Sequence, residues 1–403
     1  IMKQVVSKEW LLLDITNPEF KQWLRALFEK IGREWGFGFI KTDYVYYSLF
    51  ADGYYNPDIT TVEAYREAMK IIKQALPPDA FLVEVAVPVV NSIGIADGMR
   101  LGLDIKPDWA DDEGYLTQGF KPMVRNVARR YWMNRRVWIN HPDMFYLGSP
   151  EETERWGTRV TLEEARCYAT LASLSGEITK IGDSFTGLDS AQIDMLRKIM
   201  PVYPGNARPI DLFEHLYPEV WHLPVRTQDL DYDVVGMFNW GRNRSWGVAT
   251  PEQTETIRVN LADLGLSPTR RYIVSEFWTG EPRGEIEGSL EAVLLPRTVR
   301  VFAVHELRNR PQLIGDNRHI TQGATDIKWV EWNPVKKTLA GRQKLESDFE
   351  YKLMFHVPDD VKFIKAAFED TGLVLDSEVR GDIVTVRFSD PSASERSWTL
   401  FFE

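Results

Sequence analysis

Four charged residues stand at the ends of two short apolar segments in this chain of 403 residues. Lys41 and Asp43 end the first segment, and Arg100 and Asp104 belong to the second. Because side chains alternate along a strand, Lys41 and Asp43 share one face roughly 7 Å apart, and Arg100 shares a face with Asp104. Two carboxylates that face one pocket beside a lysine and an arginine suit acid–base or glycosyl-transfer chemistry. The alternative is that these charges only solvate strand ends, since a chain with 59 acidic residues easily produces a chance pairing.

The two segments belong to a region in which helical and strand patterns alternate. Thr16 and Glu19 fit a capping box, and Pro18 suits the first turn of the helix that follows. Apolar residues at helical spacing predict helices over residues 20–31, 65–76, 124–132, 162–172 and 193–199. Buried-type runs predict strands over residues 39–43, 81–87, 99–104, 137–140 and 178–181, with a possible fragment at 11–14.

This alternation over residues 17–200 indicates a parallel sheet covered by helices. The polar residues collect at the carboxyl ends of the predicted strands, which is where a (β/α)8 barrel carries its chemistry. Closure of such a barrel needs eight strands, and five are predicted with the fragment besides. Five strands alone would expose two long apolar sheet edges.

Beyond Pro201 the pattern changes to β-rich runs separated by Pro, Gly and Asn, without helical periodicity. The first series lies at residues 234–240, 245–248, 257–260, 271–277 and 299–304. It is typical of an antiparallel β-sandwich, which we assign to residues 206–327. A second series lies at residues 351–357, 363–368, 383–388 and 398–402. It predicts a second small β domain, or an extension of the sandwich, over residues 328–403, after a catalytic barrel portion over residues 1–205.

Composition narrows the classes of partner. A net charge of −11 argues against a nucleic-acid partner or an anionic membrane surface. The single cysteine, Cys167, permits no disulfide within the chain, and the six histidines show no HxxxH spacing. We therefore expect no metal and no cofactor in a soluble protein, with the cytoplasm slightly favoured. Tryptophan fills cores but also stacks on sugar rings, so the 14 tryptophans give some support to a carbohydrate ligand.

Several motifs together resemble glycoside hydrolase family 36, which comprises α-galactosidases, α-N-acetylgalactosaminidases and raffinose-synthase-type transferases. The four main motifs come in the family's order with similar spacing, and they are Leu13-Asp14-Ile15-Thr16-Asn17-Pro18-Glu19, Phe39-Ile40-Lys41-Thr42-Asp43, Asp97-Gly98-Met99-Arg100-Leu101-Gly102-Leu103-Asp104 and Trp138-Ile139-Asn140-His141-Pro142-Asp143. Residues 311–314 and 318–323 resemble the family's C-terminal region. The resemblance covers residues 10–205 well and 206–330 moderately.

The resemblance implies a retaining mechanism with Asp43 as the nucleophile and Asp104 as the general acid/base. Lys41 and Arg100 match substrate-binding residues of the family. The implied fold is the C-terminal portion of a (β/α)8 TIM barrel, about strands 4 to 8, followed by antiparallel β-sandwich domains. The first three strands and the family's N-terminal β-sandwich would then lie outside the chain. A retaining enzyme requires its two carboxyl groups to be about 5–5.5 Å apart.

Five further residues are candidates for substrate binding. Trp109 is expected either to floor a sugar subsite or to cap the barrel mouth. Trp138 and Asn140 share a strand face and are expected to line the pocket, unless Trp138 only packs inside the barrel. Ser175 and Gly176 stand where the last strand is expected to begin and would line the same site.

The chain departs from the family's pattern in three respects. Glu84 and the residues after it replace a small, Cys/Gly-rich strand end, and His141 stands where an acidic residue is common. The strands that carry the family's paired aspartates and tryptophan, which grip galactose hydroxyls, are not found. Three explanations are open: the chain is a fragment, a second chain supplies the other strands, or the open barrel is real.

Two functions fit these observations. The first is retaining hydrolysis of terminal α-galactosides through a covalent glycosyl-aspartate, with α-galactosyl transfer of the raffinose-synthase type as a variant. The second is a non-catalytic carbohydrate-binding or assembly subunit, which the lack of barrel strands favours. The expected partners are an oligosaccharide or glycoside substrate, together with a second copy of the chain or a chain that supplies the other strands.

Overall fold

The computed structural model describes residues 12–51, 53–110, 117–392 and 394–403. These residues form two compact units. The first unit comprises the described residues up to Leu103 together with Trp132–Asp143, and the second comprises those of 104–131 and Met144–Glu403. Among the described residues, no helix combines the length and the apolar character needed to cross a membrane.

The first unit contains a parallel sheet and the helices that cover one of its faces. Its regular elements are α1 (Pro18–Glu29), β1 (Phe39–Thr42), α2 (Thr61–Ala75), β2 (Phe81–Glu84), β3 (Gly98–Arg100) and β4 (Ile139–His141). The strand order is β1-β2-β3-β4, and every neighbouring pair is parallel. Each strand therefore ends at the same edge of the sheet, as the sequence predicts for this region.

A single apolar core joins the helices to this sheet. Tyr65, Met69 and Ile72 lie on one face of α2 because they follow helical spacing, and all three are buried. They pack with Ile40 of β1 and Leu82 of β2. Burial of each such side chain contributes about 1.5–3 kcal/mol, so this contact fixes which face of the sheet turns toward the helices.

The first helix begins differently from the prediction. Asn17, and not Thr16, is its N-cap, because the side-chain oxygen of Asn17 accepts hydrogen bonds from the backbone N–H groups of Glu19 and Phe20. The hydroxyl of Thr16 instead accepts a 3.0 Å hydrogen bond from the backbone N–H of Asn56. The predicted Thr16–Glu19 capping box is therefore wrong, since a loop contact 40 residues along the chain takes the hydroxyl.

Two strands are shorter than predicted. The strand predicted over residues 81–87 ends at Glu84, and the one predicted over 99–104 ends at Arg100. Residues 12–14 form no strand, and Leu11 of that predicted fragment lies outside the described residues. The apolar runs continue past the strand ends because loop residues such as Val85 and Leu101 are also buried.

The second unit begins with further helices and a short parallel strand pair. Its elements before the sandwiches are α3 (Phe120–Arg130), β5 (Met144–Phe145), α4 (Pro150–Trp156), α5 (Leu162–Leu174), β6 (Lys180–Ile181) and α6 (Ser190–Ile199). β5 and β6 pair in parallel. β6 lies within the strand predicted over residues 178–181, whereas β5 was not predicted. The short helix α4 was not predicted, although Ser149 caps it through a hydrogen bond from the N–H of Glu152.

Short helical turns connect these elements. The chain has a π-helical turn at Lys30–Glu34 and 3-10 turns at Val45–Phe50, Val89–Ser92, Tyr131–Met133, Phe185–Gly187 and Leu261–Leu264.

The first sandwich confirms the predicted antiparallel β structure. Its strands are β7 (Arg208–Pro209), β8 (Val220–Arg226), β9 (Asp231–Asn239), β10 (Asn243–Ser245), β11 (Val248–Thr250), β12 (Glu255–Asn260), β13 (Tyr272–Glu276), β14 (Glu281–Ile286), β15 (Ser289–Leu294) and β16 (Thr298–Glu306). A six-stranded sheet in the order β14-β13-β16-β9-β8-β7 shares one apolar core with the pair β12-β15. Helix α5 packs against β16 and β9 on this sheet.

The second sandwich occupies the C-terminal part of the chain. Its strands are β17 (Gln312–Asp316), β18 (Ile327–Asn333), β19 (Thr338–Lys344), β20 (Tyr351–His356), β21 (Phe363–Phe368), β22 (Asp376–Arg380), β23 (Ile383–Phe388) and β24 (Glu395–Phe402). They form one sheet in the order β17-β20-β23-β22 and another in the order β18-β19-β24-β21. The buried ring of Trp398 meets Phe355 of the other sheet edge-on. Because β17 pairs with β20, strand pairing groups residues 312–316 with the C-terminal sheets, upstream of the predicted boundary at 327.

The predicted fold class is confirmed. The chain carries the C-terminal portion of a (β/α)8 TIM barrel followed by antiparallel β-sandwich structure. The barrel portion supplies parallel strand ends at a common edge, and the candidate site is built there.

Close packing of the turn after α1 against the end of α2 gives a testable prediction. A Cβ atom on Gly32 would lie 2.6 Å from Cδ of Pro77 and 3.0 Å from Cδ2 of Leu76. We expect Gly32→Ala to lower the free energy of unfolding by about 1–3 kcal/mol, because overpacking outweighs the better helix propensity of alanine. Urea unfolding followed by circular dichroism measures this change.

Gly38 provides the matched control, because a Cβ atom there has no neighbour within 4 Å. Gly38→Ala should leave the urea midpoint almost unchanged. Equal effects of the two substitutions would contradict this account of the packing at Gly32.

Candidate active site

The carboxyl edge of the parallel sheet brings together residues that are far apart in sequence. The register aligns Thr42 of β1 with Glu84 of β2, Met99 of β3 and Asn140 of β4. The residues that follow these four positions therefore project from one edge. In (β/α)8 barrels this edge carries the catalytic groups.

The two faces of β1 have different surroundings, as the alternation in the sequence predicts. Ile40 and Thr42 are buried, whereas Phe39 and Lys41 are exposed on the opposite face. The ring of Phe39 stacks on Phe81 of β2 with 5.6 Å between the ring centroids. Lys41 therefore lies on the face that the helices leave uncovered, and Asp43 follows directly after the strand.

A sharp backbone turn orients the carboxylate of Asp43. Tyr44 has a φ of +57°, in the left-handed region that few residues with a side chain adopt. Its backbone N–H donates a 2.8 Å hydrogen bond to Oδ1 of Asp43. The strand thus ends at Thr42, and Asp43 is exposed directly after it, with one carboxylate oxygen held by the main chain.

A cluster of aromatic rings follows Asp43, and the sequence analysis did not identify it. Tyr46 and Tyr47 stack at 4.3 Å between ring centroids, and Tyr44 stacks on Tyr47 at 6.0 Å. A hydrogen bond with Tyr47, together with partial burial, raises the pKa of Tyr46 to about 12, so this phenol stays neutral at physiological pH. The Tyr-x-Tyr-Tyr run directly after a strand-end carboxylate was the available signal.

Arg100 forms a buried ion pair. Its Nη2 lies 2.6 Å from Oδ2 of Asp143, and both side chains are almost fully buried. Asp143 has a φ of +77°, and its backbone N–H donates a 3.2 Å hydrogen bond to Nδ1 of His141. Arg100 was predicted to bind substrate, and the structure gives it a partner in the loop after β4. This ion pair holds together the ends of β3 and β4.

Trp138 and Asn140 share a face, as predicted, but that face is buried. Trp138 packs with Met99 and Met133 in a small apolar cluster. Its indole N–H donates a 3.2 Å hydrogen bond to Oδ1 of Asn140, and the backbone N–H of Asn140 donates to Oδ1 of Asn134. These contacts favour the packing interpretation of Trp138 over the pocket-lining one.

Glu84 stands at the end of β2 without joining the exposed polar residues. Its side chain is fully buried, and Oε2 accepts a 2.7 Å hydrogen bond from the hydroxyl of Tyr65 on α2. Burial raises the pKa of Glu84, although hydrogen bonds from Ser92 and Tyr65 oppose this shift. The glutamate at the end of β2 therefore anchors α2 to the sheet.

Two predicted site residues, Asp104 and Trp109, lie in the second unit. Asp104 is exposed. It was predicted to share a strand face with Arg100, but β3 ends at Arg100 and a bend follows, so Asp104 lies outside the strand. Trp109 is 3% exposed, its ring stacks on Trp240 at 6.0 Å, and the guanidinium of Arg297 lies 5.8 Å from the ring centroid. With these contacts on its ring, Trp109 fits a packing role better than an open sugar platform.

Ser175 and Gly176 terminate helix α5, which corrects their predicted place at the start of a strand. Ser175 is fully buried and its hydroxyl donates a 3.2 Å hydrogen bond to the carbonyl of Ala172. Gly176 has a φ of +66°, and a Cβ atom there would lie 1.8 Å from the carbonyl oxygen of Gly205. The glycine is therefore required by a left-handed turn and a close backbone approach.

A second polar cluster lies in the first sandwich. Asp211, His215 and Glu219 bring ligand-type atoms within 4.8 Å of one another, a set that could hold a cation. The sequence analysis considered histidine pairs only, so the Asp-x3-His-x3-Glu spacing escaped it. Asn243 donates a 2.8 Å hydrogen bond to Oε1 of Glu219. Burial raises the pKa of Glu219 to about 8, and the neighbouring carboxyl groups of Asp211 and Glu255 add to the shift.

A second set with the same property, Glu285, His356 and Asp382, lies between the two sandwiches. There Arg271 already forms a 2.8 Å ion pair with Glu285.

Comparison with known proteins supports the fold. Residues 217–304 match the family model described as the alpha galactosidase C-terminal beta sandwich domain. A family 27 β-L-arabinopyranosidase from Geobacillus stearothermophilus is similar in structure, with 17% identity and a TM-score of 0.56 over 75% of this chain and 65% of that chain. Isomalto-dextranase from Arthrobacter globiformis T6, complexed with panose, is similar over 99% of this chain and 72% of that chain, with 15% identity and a TM-score of 0.51. α-Galactosidase I from Mortierella vinacea has 13% identity and a TM-score of 0.50, over 69% of this chain and 70% of that chain.

These similarities bear on the predicted family at a coarse level. The neighbours include family 27 enzymes, which are related to family 36, and the assignment to family 36 itself stays a prediction. The chain spans 65% of the length of the arabinopyranosidase that it resembles.

The buried ion pair at the sheet edge yields a stability prediction. Asp143→Asn removes the negative charge of this buried ion pair, so we expect the free energy of unfolding to fall by about 3 kcal/mol. Glu67→Gln is the matched control, because it breaks the half-exposed pair with Lys21 in the same unit and should cost less than about 1 kcal/mol. Similar losses in urea unfolding for the two variants would show that the buried pair does not hold the edge.

The Glu219 cluster predicts a pH dependence of stability. The pKa of Glu219 is about 8 in the folded protein and near 4.5 when unfolded, so between these values the folded state binds the extra proton. Stability contributed by this proton is present below about pH 5 and is lost as the pH rises through 8, at up to about 1.4 kcal/mol per pH unit. Glu219→Gln should remove this loss and be roughly 2–4 kcal/mol more stable than the parent at pH 8.5.

Thermal unfolding of parent and variant across pH 5–9 measures the effect. Glu291→Gln, at an exposed position on β15, should keep the parent's pH dependence. A Glu219→Gln curve parallel to the parent's would refute the proposed protonation.

Proposed function

We propose that the chain is the catalytic part of a retaining glycoside hydrolase that cleaves terminal α-galactosides. The observation that carries this proposal is the position of Asp43. It is an exposed carboxylate, hydrogen-bonded by the N–H of Tyr44, at the carboxyl edge of a parallel sheet. The match of residues 217–304 to an α-galactosidase sandwich supports the class of enzyme.

The proposed chemistry is a double displacement. A carboxylate oxygen of Asp43 attacks the anomeric carbon, and the bond from that carbon to the leaving oxygen breaks. The Asp104 carboxyl donates its proton to the leaving oxygen. In the second step the Asp104 carboxylate removes a proton from water, and the water oxygen displaces Asp43 with net retention at the anomeric carbon.

The neighbouring groups suit a sugar ligand. Lys41 is exposed on β1 two residues before Asp43, and its ammonium group can donate to sugar hydroxyls. The rings of Tyr44, Tyr46 and Tyr47 offer apolar faces and phenol groups beside the carboxylate. We propose that Arg100 supports the site indirectly. Its ion pair with Asp143 holds together the ends of β3 and β4 at the sheet edge that binds the substrate.

Transfer to a sugar hydroxyl uses the same two carboxylates, so galactosyl transfer is a variant of this proposal. A different class, non-catalytic sugar binding, is favoured by one observation. The chain spans 65% of the length of the arabinopyranosidase that it resembles, so the residues that complete a catalytic pocket there can lie outside it.

Asp43→Ala should lower the rate of hydrolysis of a nitrophenyl α-galactoside by about a thousandfold or more, because no covalent intermediate can form. Added azide should then yield only the β-galactosyl azide, by a single inverting displacement.

Asp104→Ala should keep more activity on this substrate, whose leaving group needs little protonation, and azide should yield the α-galactosyl azide. Product anomers are assigned by NMR.

Asp79→Ala is the matched control, since Asp79 is exposed before the amino end of β2 and should leave the rate unchanged. Undiminished activity in Asp43→Ala would refute its role. Sugar binding in calorimetry with no turnover by the parent protein would favour the binding subunit.

A further inference from the structure

The second sandwich carries an open trough on the outer face of the sheet β18-β19-β24-β21. The inner face of this sheet is filled by buried residues such as Leu339, Trp398 and Leu400. Alternate residues point outward, and they surround a volume of about 500 Å3. This volume lies within the range of small-molecule and oligosaccharide-sized sites.

Strand register shows how the trough is formed. In the middle row, Glu331, Ala340, Thr399 and Ala367 lie side by side across the four strands. Three of these four side chains are small, so the sheet surface is low along this row. Thr399 and Ala367 are almost fully buried at its floor.

Aromatic residues stand on either side of the small floor. Trp329 lies in the row on one side and is half-buried, and Phe401 lies in the row on the other side. Strand spacing and rise place their Cα atoms about 17 Å apart. The ammonium group of Lys365 lies 5.2 Å from the ring centroid of Phe401.

The polar groups of the trough are balanced in charge. Glu331 and Glu369 supply two carboxylates, and Lys336 and Lys365 supply two ammonium groups. The hydroxyl of Thr399 donates a 2.7 Å hydrogen bond to Oε1 of Glu369, which holds this carboxylate over the floor. A strongly charged ligand such as a phosphate finds no excess of one sign here.

We propose that this trough binds a neutral glycan chain, at a site separate from Asp43. A neutral saccharide presents apolar ring faces, which suit Trp329, and many hydroxyl groups that both donate and accept hydrogen bonds. Carboxylates, ammonium groups and a hydroxyl provide partners for both roles. The proposal does not depend on the proposed hydrolysis, because its residues belong to the second sandwich alone.

Glycan-array binding of the whole chain tests the proposal, with neutral and acidic oligosaccharides printed side by side. The measurement uses the Asp43→Ala variant so that no probe is consumed. We expect binding to neutral glycans, reduced at least tenfold by a further Trp329→Ala substitution. Trp246→Ala is the matched control, because Trp246 is 77% exposed on the first sandwich and its loss should leave binding unchanged.

Glu369→Gln is a second variant in case Trp329→Ala does not fold. It removes only a charge, so it should weaken the same binding while leaving the melting temperature unchanged. Binding to no neutral glycan, or equal binding by Trp329→Ala, would overturn the proposal. A change in oligomeric state in Trp329→Ala, seen by ultracentrifugation without any glycan binding, would overturn it in favour of an interface between copies of this chain.

Discussion

The candidate site depends on one constraint, which is that the helices cover only one face of the parallel sheet. Ile40 and Leu82 must point toward α2 to bury their apolar surface. Because the side-chain period of a strand is two, this contact commits Lys41 to the opposite face. A slip of one residue would place Lys41 in the helix core, where an unpaired ammonium group is costly. The packing energy of the core thus determines the orientation of the polar strand end.

Residues governed by this local period could be predicted from sequence. The alternation of Phe39 and Lys41 against Ile40 and Thr42 follows from it. The parallel sheet was predicted from the alternation of helical and strand patterns along the chain. Eight of the 18 strands of the two sandwiches were predicted for the same reason, since each alternates or forms a buried block between turn residues. The run predicted at residues 245–248 instead spans the turn between β10 and β11, and strands such as β8, β15 and β18 were not predicted. These features need only near neighbours in the chain.

Features that depend on distant partners could not be predicted. The sequence around Arg100 does not show whether this side chain binds a sugar or pairs with Asp143. The ion pair depends on the conformation of the loop after β4, which carries Asp143. Trp109 has the spacing of a subsite residue, but its contacts with Trp240 and Arg297 come from the sandwich. Thr16 has a suitable side chain for a helix cap, but its hydroxyl accepts a hydrogen bond from the N–H of Asn56 instead. In each case a long-range contact satisfies the group more completely than its local role would.

The aromatic residues show why composition alone carries little information about a sugar ligand. Trp221, Trp240 and Trp398 are fully buried, so several of the tryptophans serve packing. What distinguishes Trp329 is its surroundings: a half-buried ring beside small residues and paired polar groups, on a sheet whose other face is already filled. The cluster after Asp43 has the same character, since stacked tyrosine rings lie next to an oriented carboxylate. Both places therefore combine apolar ring faces with polar groups, through strand alternation in the trough and through the 3-10 turn Val45–Phe50 beside Asp43.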